Sequence, residues 1–318
     1  MNLRTRALLL PLAAATGLTL AACGSDGAGA SSDGPTVVTS FYPLAFVAER
    51  VAGDHARIEN LTQAGAEPHD LELAARQVGQ IVDADLVVFL HGFQPSVDAA
   101  IEQNAEGSAL DAGELVELIP EGTEDEDHAD EPAGDSHEGH DHGDLEGDPH
   151  IWLDPANMVA ITEAVAGRLA ELDPDHADDF QANADALVAD LEAVDAEYEA
   201  GLAQCERRVF ITSHAAFGYL AHRYDLDQVG ISGIDPDAEP SPERLAEVHD
   251  VVAHEGVTTI FYERLVSPKV AETLASDLGV EAAVLDPIEG LTDDTSDQDY
   301  LTLMRANLAA LAQASGCS

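Results

Sequence analysis

Three histidines in this chain each stand where an apolar run gives way to a turn or a helix: His69 in AEPHDLEL, His150 in DPHIWLDP and His214 in VFITSHAAFGYL. Asp286, in VLDPIEGL, follows a fourth apolar run. Three neutral imidazoles and one carboxylate are the donors that close a tetrahedral shell around zinc. The four residues lie about 60 to 80 positions apart, so only a tertiary fold can bring them together. A lone histidine is more often a surface group or a satisfied core group. Four such residues, each in a distinctive local string, point instead to a metal-handling centre. Four protein ligands leave no open position for water, so the set fits holding a metal better than catalysis with it.

The segments that must position these residues alternate between strand and helix. TVVTSF reads as a strand, PLAFVAERVAG as a helix closed by Gly53, and ARIENLT as a strand. LELAARQVGQIVDA has apolar residues at helical spacing, DLVVFL is a buried strand, PSVDAAIEQNA a helix, and ELVELI a further strand. Asp154 followed by Pro155 is an N-cap and first-turn pair for a helix reaching about Leu172. From His176 to Ala203 runs one long helix, with Phe180, Ala184, Leu187, Leu191, Val194 and Tyr198 at three- and four-residue steps. At 1.5 Å per residue it is about 40 Å long, enough for a rigid spine. RVFITS, DQVGISG, VTTIFYE and VEAAVLD repeat the strand pattern with helices between them, and DQDYLTLMRANLAALAQA closes the chain as a helix. The expected fold is α/β: two lobes, each a mostly parallel sheet flanked by helices, joined by a long rigid helix. Ligands of such sheets gather at the carboxyl ends of the strands. His214 and Asp286 obey that rule, so a metal would bridge the lobes, with His69 and His150 from the first.

Composition narrows the setting. Against 62 acidic residues there are 13 basic ones, a formal net charge of −49, and Lys269 is the only lysine. Such a surface repels nucleic acid and anionic lipid and attracts cations. It also suits a salty or extracytoplasmic environment. Residues 1–22, with Arg4 and Arg6 before an apolar run too short to span a membrane, read as a signal peptide. Leu20-Ala21-Ala22-Cys23 resembles a lipobox, which makes Cys23 the lipidated first residue of the mature chain. Residues 23–35 are a Gly/Ser tether. Residues 121–148 carry 13 acids, no lysine or arginine, and His128, His137, His140 and His142. They cannot bury a core and read as a mobile loop. Those histidines could catch metal weakly and pass it on, or the loop could be a solvated acidic insertion. Cys205 and Cys317 remain; an oxidising compartment favours their pairing over two free thiols. His91, after VVFL, sits at another strand end. Glu67, Asp70, Asp148 and Glu263 flank the motifs or end a strand and could orient ligand imidazoles. His55, His176, His222, His249 and His254 read as solvated.

The strings EPHD, DPHIWLDP, TSHAAFGYL and LDPIEGL, taken together, resemble the solute-binding lipoproteins of the ABC importers for zinc and manganese, from about Val37 to Ala314. The resemblance implies capture of a metal between two lobes (residues 36–172 and 205–318, linked by 173–204) and delivery to an ABC permease and its ATPase. It implies no catalysis, a monomer, and a lipid-anchored location at the outer face of the cytoplasmic membrane. Manganese-type relatives generally carry a glutamate where His214 stands, and the His-rich acidic loop is a feature of zinc members, so the resemblance favours Zn2+. The alternatives are a manganese or other divalent-metal receptor, a zinc hydrolase, for which no HExxH string is present, and a surface adhesin.

Overall fold

The computed structural model describes residues 34–120 and 147–318. The expected signal segment, Cys23 and the loop histidines His128, His137, His140 and His142 lie outside these residues.

The first half runs β1 (Thr36–Thr39), α1 (Tyr42–Ala52), β2 (Arg57–Asn60), α2 (Ala75–Asp83), β3 (Leu86–Phe89), α3 (Pro95–Asn104) and β4 (Ala109–Asp111). Its strands pair in parallel in the order β2-β1-β3-β4. Two helices follow, α4 (Pro155–Leu172) and α5 (Ala177–Leu202), joined through a short 3-10 turn at Pro174–His176. The second half runs β5 (Val209–Thr212), α6 (Gly218–Tyr224), β6 (Asp227–Gly230), α7 (Pro242–Glu255), β7 (Thr259–Tyr262), α8 (Lys269–Leu278), β8 (Glu281–Val284) and α9 (Tyr300–Ser315). Its sheet, also parallel, has the order β6-β5-β7-β8, the topology of the first sheet repeated.

The strands are short, and the inner strand β3 is buried along its length, which is why LVVF reads as a continuous apolar run, whereas the edge strands β2 and β8 keep exposed positions. Neighbouring residues point to opposite sides: Val37 and Val88 enter the central core, whereas Val38 and Val87 face the layer formed with Ile81, Val97 and Ile101. Phe210 and Ile211 split in the same way in the second sheet. The central core is continuous through the middle of the molecule, from Phe41 and Val47 through Leu187 and Val194 to Phe210 and Leu311. α5 buries Phe180, Ala184, Leu187, Leu191, Val194, Tyr198 and Leu202 along one stripe and packs on α1, α4 and α9. It therefore belongs to the core beneath both sheets. Its 26 residues make it about 39 Å long. Asp154 caps α4 by accepting the Ala156 N–H at 2.8 Å, with Pro155 in the first turn.

Two expected elements differ. ELVELI is not a strand: β4 is Ala109–Asp111 and a 3-10 turn occupies Gly113–Leu115. The Asp111 carboxylate accepts the N–H groups of Gly113 (2.9 Å) and His91 (3.1 Å) and turns the chain there. The helix expected from Leu71 begins only at Ala75. Gln77 accepts the Ala74 N–H at 2.8 Å and donates to Leu61 O at 2.9 Å, which fixes that start. Cys205, after α5, and Cys317, after α9, form a disulfide. Among the described residues no helix is long and apolar enough to cross a membrane.

Candidate metal centre

His214 lies two residues beyond β5, with its carbonyl accepting Thr212 Oγ1 at 2.7 Å and Gln228 Nε2 at 3.1 Å. His69 comes from the loop between β2 and α2, its ring edge-on to Phe93 at a centroid distance of 4.6 Å. His150 opens a 3-10 turn, Ile151–Leu153, that leads into α4. Trp152 in that turn donates Nε1–H to Pro287 O at 2.7 Å, and Tyr300 donates its hydroxyl to Trp152 O at 2.6 Å. The turn is thus tied to the segment that follows β8.

The fold brings His69, His150 and His214 together. Their ring centroids are 5.5, 5.3 and 6.0 Å apart pairwise. The fourth member of the group is Glu289, and one ligand atom from each of the four lies within 4.8 Å of the others. Each histidine Nε2 is 3.5 Å from Glu289 Oε1. Asp286, expected in that place, is elsewhere. Its carboxylate takes Arg264 Nε at 3.1 Å and accepts the Ile288 N–H at 2.9 Å. Asn307 holds its backbone on both sides, accepting the N–H at 2.9 Å and donating to the carbonyl at 2.6 Å. Asp286 therefore shapes the turn, and Ile288, at φ 59°, sits in the left-handed region. A β-branched residue is strained there, and the bend delivers Glu289 to the histidines. Glu289 lies inside the LDPIEGL string, three residues beyond Asp286, the first acid after the strand. Nothing in the sequence announces an isoleucine with positive φ.

Two of the imidazoles are backed by carboxylates. Asp148 Oδ1 lies 2.7 Å from His150 Nδ1 and also accepts the His150 N–H at 2.9 Å. Glu263 Oε1 lies 2.7 Å from His214 Nδ1 and accepts Ser213 Oγ at 2.8 Å. A carboxylate oxygen accepting from Nδ1 holds the ring in place and turns Nε2 toward the shared centre. Asp148 and Glu263 thus stand where the orienting role expected of them requires. Asp70 donates its N–H to Glu67 Oε2 at 3.3 Å and, among the described residues, makes no hydrogen bond to an imidazole nitrogen. His91 lies apart, 3.7 Å from Asp98. His55 and His176, partly exposed, stack on each other at 4.0 Å.

His150, His214 and Glu289 are at most 1% exposed, and the Nε2 atoms of all three histidines and both Glu289 oxygens have no hydrogen-bond partner. Buried polar atoms are nearly always satisfied, so this inward-facing set fits a group that would accept all of them. Ligand atoms about 2.0–2.1 Å from a central zinc would be about 3.3–3.4 Å apart, close to the 3.5 Å found. The electrostatics agree. Burial alone would raise the Glu289 carboxyl, but the three histidines hold it well below the usual range. Burial would lower His214, yet Glu263 and Glu289 push it up to about 10. His150 moves up for the same reason, burial being outweighed by Asp148 and Glu289. Burial and the nearby Glu289 push Glu67 up to about 8, against the N–H groups it accepts from His69 and Asp70. The imidazoles are raised and Glu289 is lowered because they face one another across a shared centre; a dication bound there would take the place of the imidazole protons.

Two like-folded α/β lobes thus carry a buried cluster of three histidines and one carboxylate that could hold a metal ion. Residues 37–314 match the family described as zinc-uptake complex component A, periplasmic, and the chain belongs to that family. The zinc-binding lipoprotein AdcA of Streptococcus pneumoniae is 38% identical over 311 residues, which cover 96% of this chain and 60% of that protein. This chain thus spans about three fifths of the length of that relative. The high-affinity zinc uptake system protein ZnuA of Bacillus subtilis is 34% identical, with 94% of each chain covered. The Zn(II)-bound crystal structure of the ZnuA-like domain of pneumococcal AdcA aligns with a TM-score of 0.73 at 34% identity, covering 89% of this chain and 99% of that one.

Proposed function

We propose that this protein is an extracytoplasmic zinc receptor that captures Zn2+ through His69, His150, His214 and Glu289 and hands it to an ABC permease driven by its ATPase. The observation that carries this reading is the group of three buried, unpartnered Nε2 atoms, each 3.5 Å from Glu289 Oε1. Three imidazoles favour zinc, whereas manganese favours carboxylate and water. The carboxylates behind His150 and His214 hold two of the ligands in place before the ion arrives, which limits the ordering cost of binding. Four protein ligands leave no site for an activated water, so the protein carries its metal rather than using it in catalysis. The excess of acidic residues draws cations toward the molecule and disfavours nucleic acid as a partner.

The rest of the proposal concerns the setting. Residues 1–22 direct export, Cys23 carries the lipid, and residues 36–172 and 205–318 act as the two lobes about the linking segment 173–204, in a monomer. Replacing Cys23 with Ala should move the protein from the membrane fraction to the medium or periplasm; unchanged membrane retention would count against lipidation there.

The test of function is a competitive zinc titration of metal-stripped protein against a strong chelator, with manganese in parallel. One tight zinc per chain and far weaker manganese are expected. Deleting residues 124–144 should leave that zinc in place, because the four ligands lie outside the deleted stretch. A manganese preference, or loss of tight binding on deletion alone, would sink the assignment.

A further inference from the structure

The two ends of the acidic insertion are pinned by one side chain of the second lobe. Tyr219, in the first turn of α6, is 3% exposed. Its hydroxyl accepts the Ile119 N–H at 3.1 Å and donates to Asp148 O at 3.0 Å. Asp148 N–H in turn donates to Ile119 O at 2.9 Å. The packing around this knot leaves no spare room. A Cβ on Gly147 would lie 2.7 Å from Ile119 O, and one on Gly218 would lie 2.5 Å from Asp148 Oδ2. The same Asp148 uses Oδ1 to hold both the backbone N–H and the ring Nδ1 of His150. Four residues before Gly218 stands His214. One short helix therefore carries one ligand of the cluster at its approach and, through a phenol and a glycine, fixes the carboxylate that aims another.

We infer that Tyr219, with Gly218, is a positioning residue for the metal centre: it locks Asp148 so that His150 presents Nε2 to the ion, and it thereby couples the second lobe to a ligand supplied from outside it. This rests on the reading of the cluster as a zinc site. The hydroxyl is the operative group, since it is the only part of Tyr219 with hydrogen bonds to both stem residues. Removing it leaves the Ile119 N–H and the Asp148 carbonyl to find new partners and loosens the backbone that carries the carboxylate.

The test uses the full chain and the variants Tyr219→Phe, Gly218→Ala and Asp148→Ala. Zinc affinity is measured by chelator competition. Tyr219→Phe should bind zinc about tenfold more weakly, the low end of the 10–100-fold range typical for groups behind metal ligands. The loss should vanish when Tyr219→Phe is made in the Asp148→Ala background, where there is no carboxylate left to aim. Gly218→Ala, which crowds Asp148 without removing a hydrogen bond, should weaken zinc in the same direction. A role confined to stability would lower the melting temperature of the zinc-free protein and leave affinity within about twofold of the parent, and that overturns the inference, as does an equal loss in both backgrounds. The nitrogen-15 NMR signal of His150 Nδ1–H in zinc-free protein supplies a reading that needs no metal. It should be sharp in the parent and shifted or lost in Tyr219→Phe; an unchanged signal overturns the inference. If the parent itself holds no tight zinc, the functional reading fails, and the NMR result still decides the role of Tyr219.

Discussion

His214 and His150 are equivalent in type but are built into place by different carboxylates, Glu263 and Asp148. The residue-scale question is which acid completes the set. Glu289 offers two buried oxygens with no partner, whereas both oxygens of Asp286 are engaged, one by Arg264 and one by the Ile288 N–H. Glu289→Gln keeps the shape and removes the charge, so it should weaken zinc by about 10-fold or more, while Asp286→Asn, which acts only through the turn, should weaken it less. Chelator competition on both variants checks this; a larger loss in Asp286→Asn would restore Asp286 as the ligand. His214→Ala removes a donor outright and should cost at least about 100-fold in affinity, beyond the effect of losing a supporting group. The three histidines were legible because each stands in its own string at the end of an apolar run. Glu289 was not, because the choice between two acids three residues apart depends on the backbone of Ile288, and that backbone is set by Asp286, Arg264 and Asn307 acting together.

At the scale of elements, the long helix was readable because its apolar stripe persists through 26 residues, a period that no strand shares. β4 was not, since three residues are too few to show alternation, and ELVELI next to it shows more. The strand ends where the Asp111 side chain captures two backbone N–H groups, a contact between separate segments. The Cys205–Cys317 disulfide spans 112 residues and ties the start of the second sheet to the end of α9. Closing so long a loop restricts the unfolded chain, worth up to about 4–5 kcal/mol in the chain-entropy account. Replacing both cysteines with alanine should lower the urea midpoint while leaving zinc affinity close to the parent, because neither cysteine touches the cluster. Equilibrium unfolding with and without zinc separates the two effects; an unchanged midpoint would show that the bridge adds no stability.

The whole molecule carries a formal charge of −49 on 318 residues. Many carboxylates have no basic residue to face, since only 13 lysines and arginines are present. Self-repulsion of that size opposes the compact state and is screened within about 10 Å at 0.1 M salt. The melting temperature of zinc-free protein should therefore rise as sodium chloride goes from about 10 mM to about 1 M. A flat or falling curve in scanning calorimetry would show that the charge is already balanced within the fold.

The α/β alternation, the two similar halves, the long helix and the three imidazoles were legible in the sequence, because these follow from local periodicity and from residue types in distinctive local strings. Tertiary structure decided the rest. A tetrahedral centre depends on atoms placed to within a few tenths of an ångström, and that precision came from contacts between segments far apart in the chain. Trp152 reaches Pro287, Tyr219 reaches Ile119 and Asp148, and Asn307 reaches Asp286. None of these pairs is coded by neighbouring residues, so the fourth member of the cluster and the placing of His150 emerge only when the two halves pack.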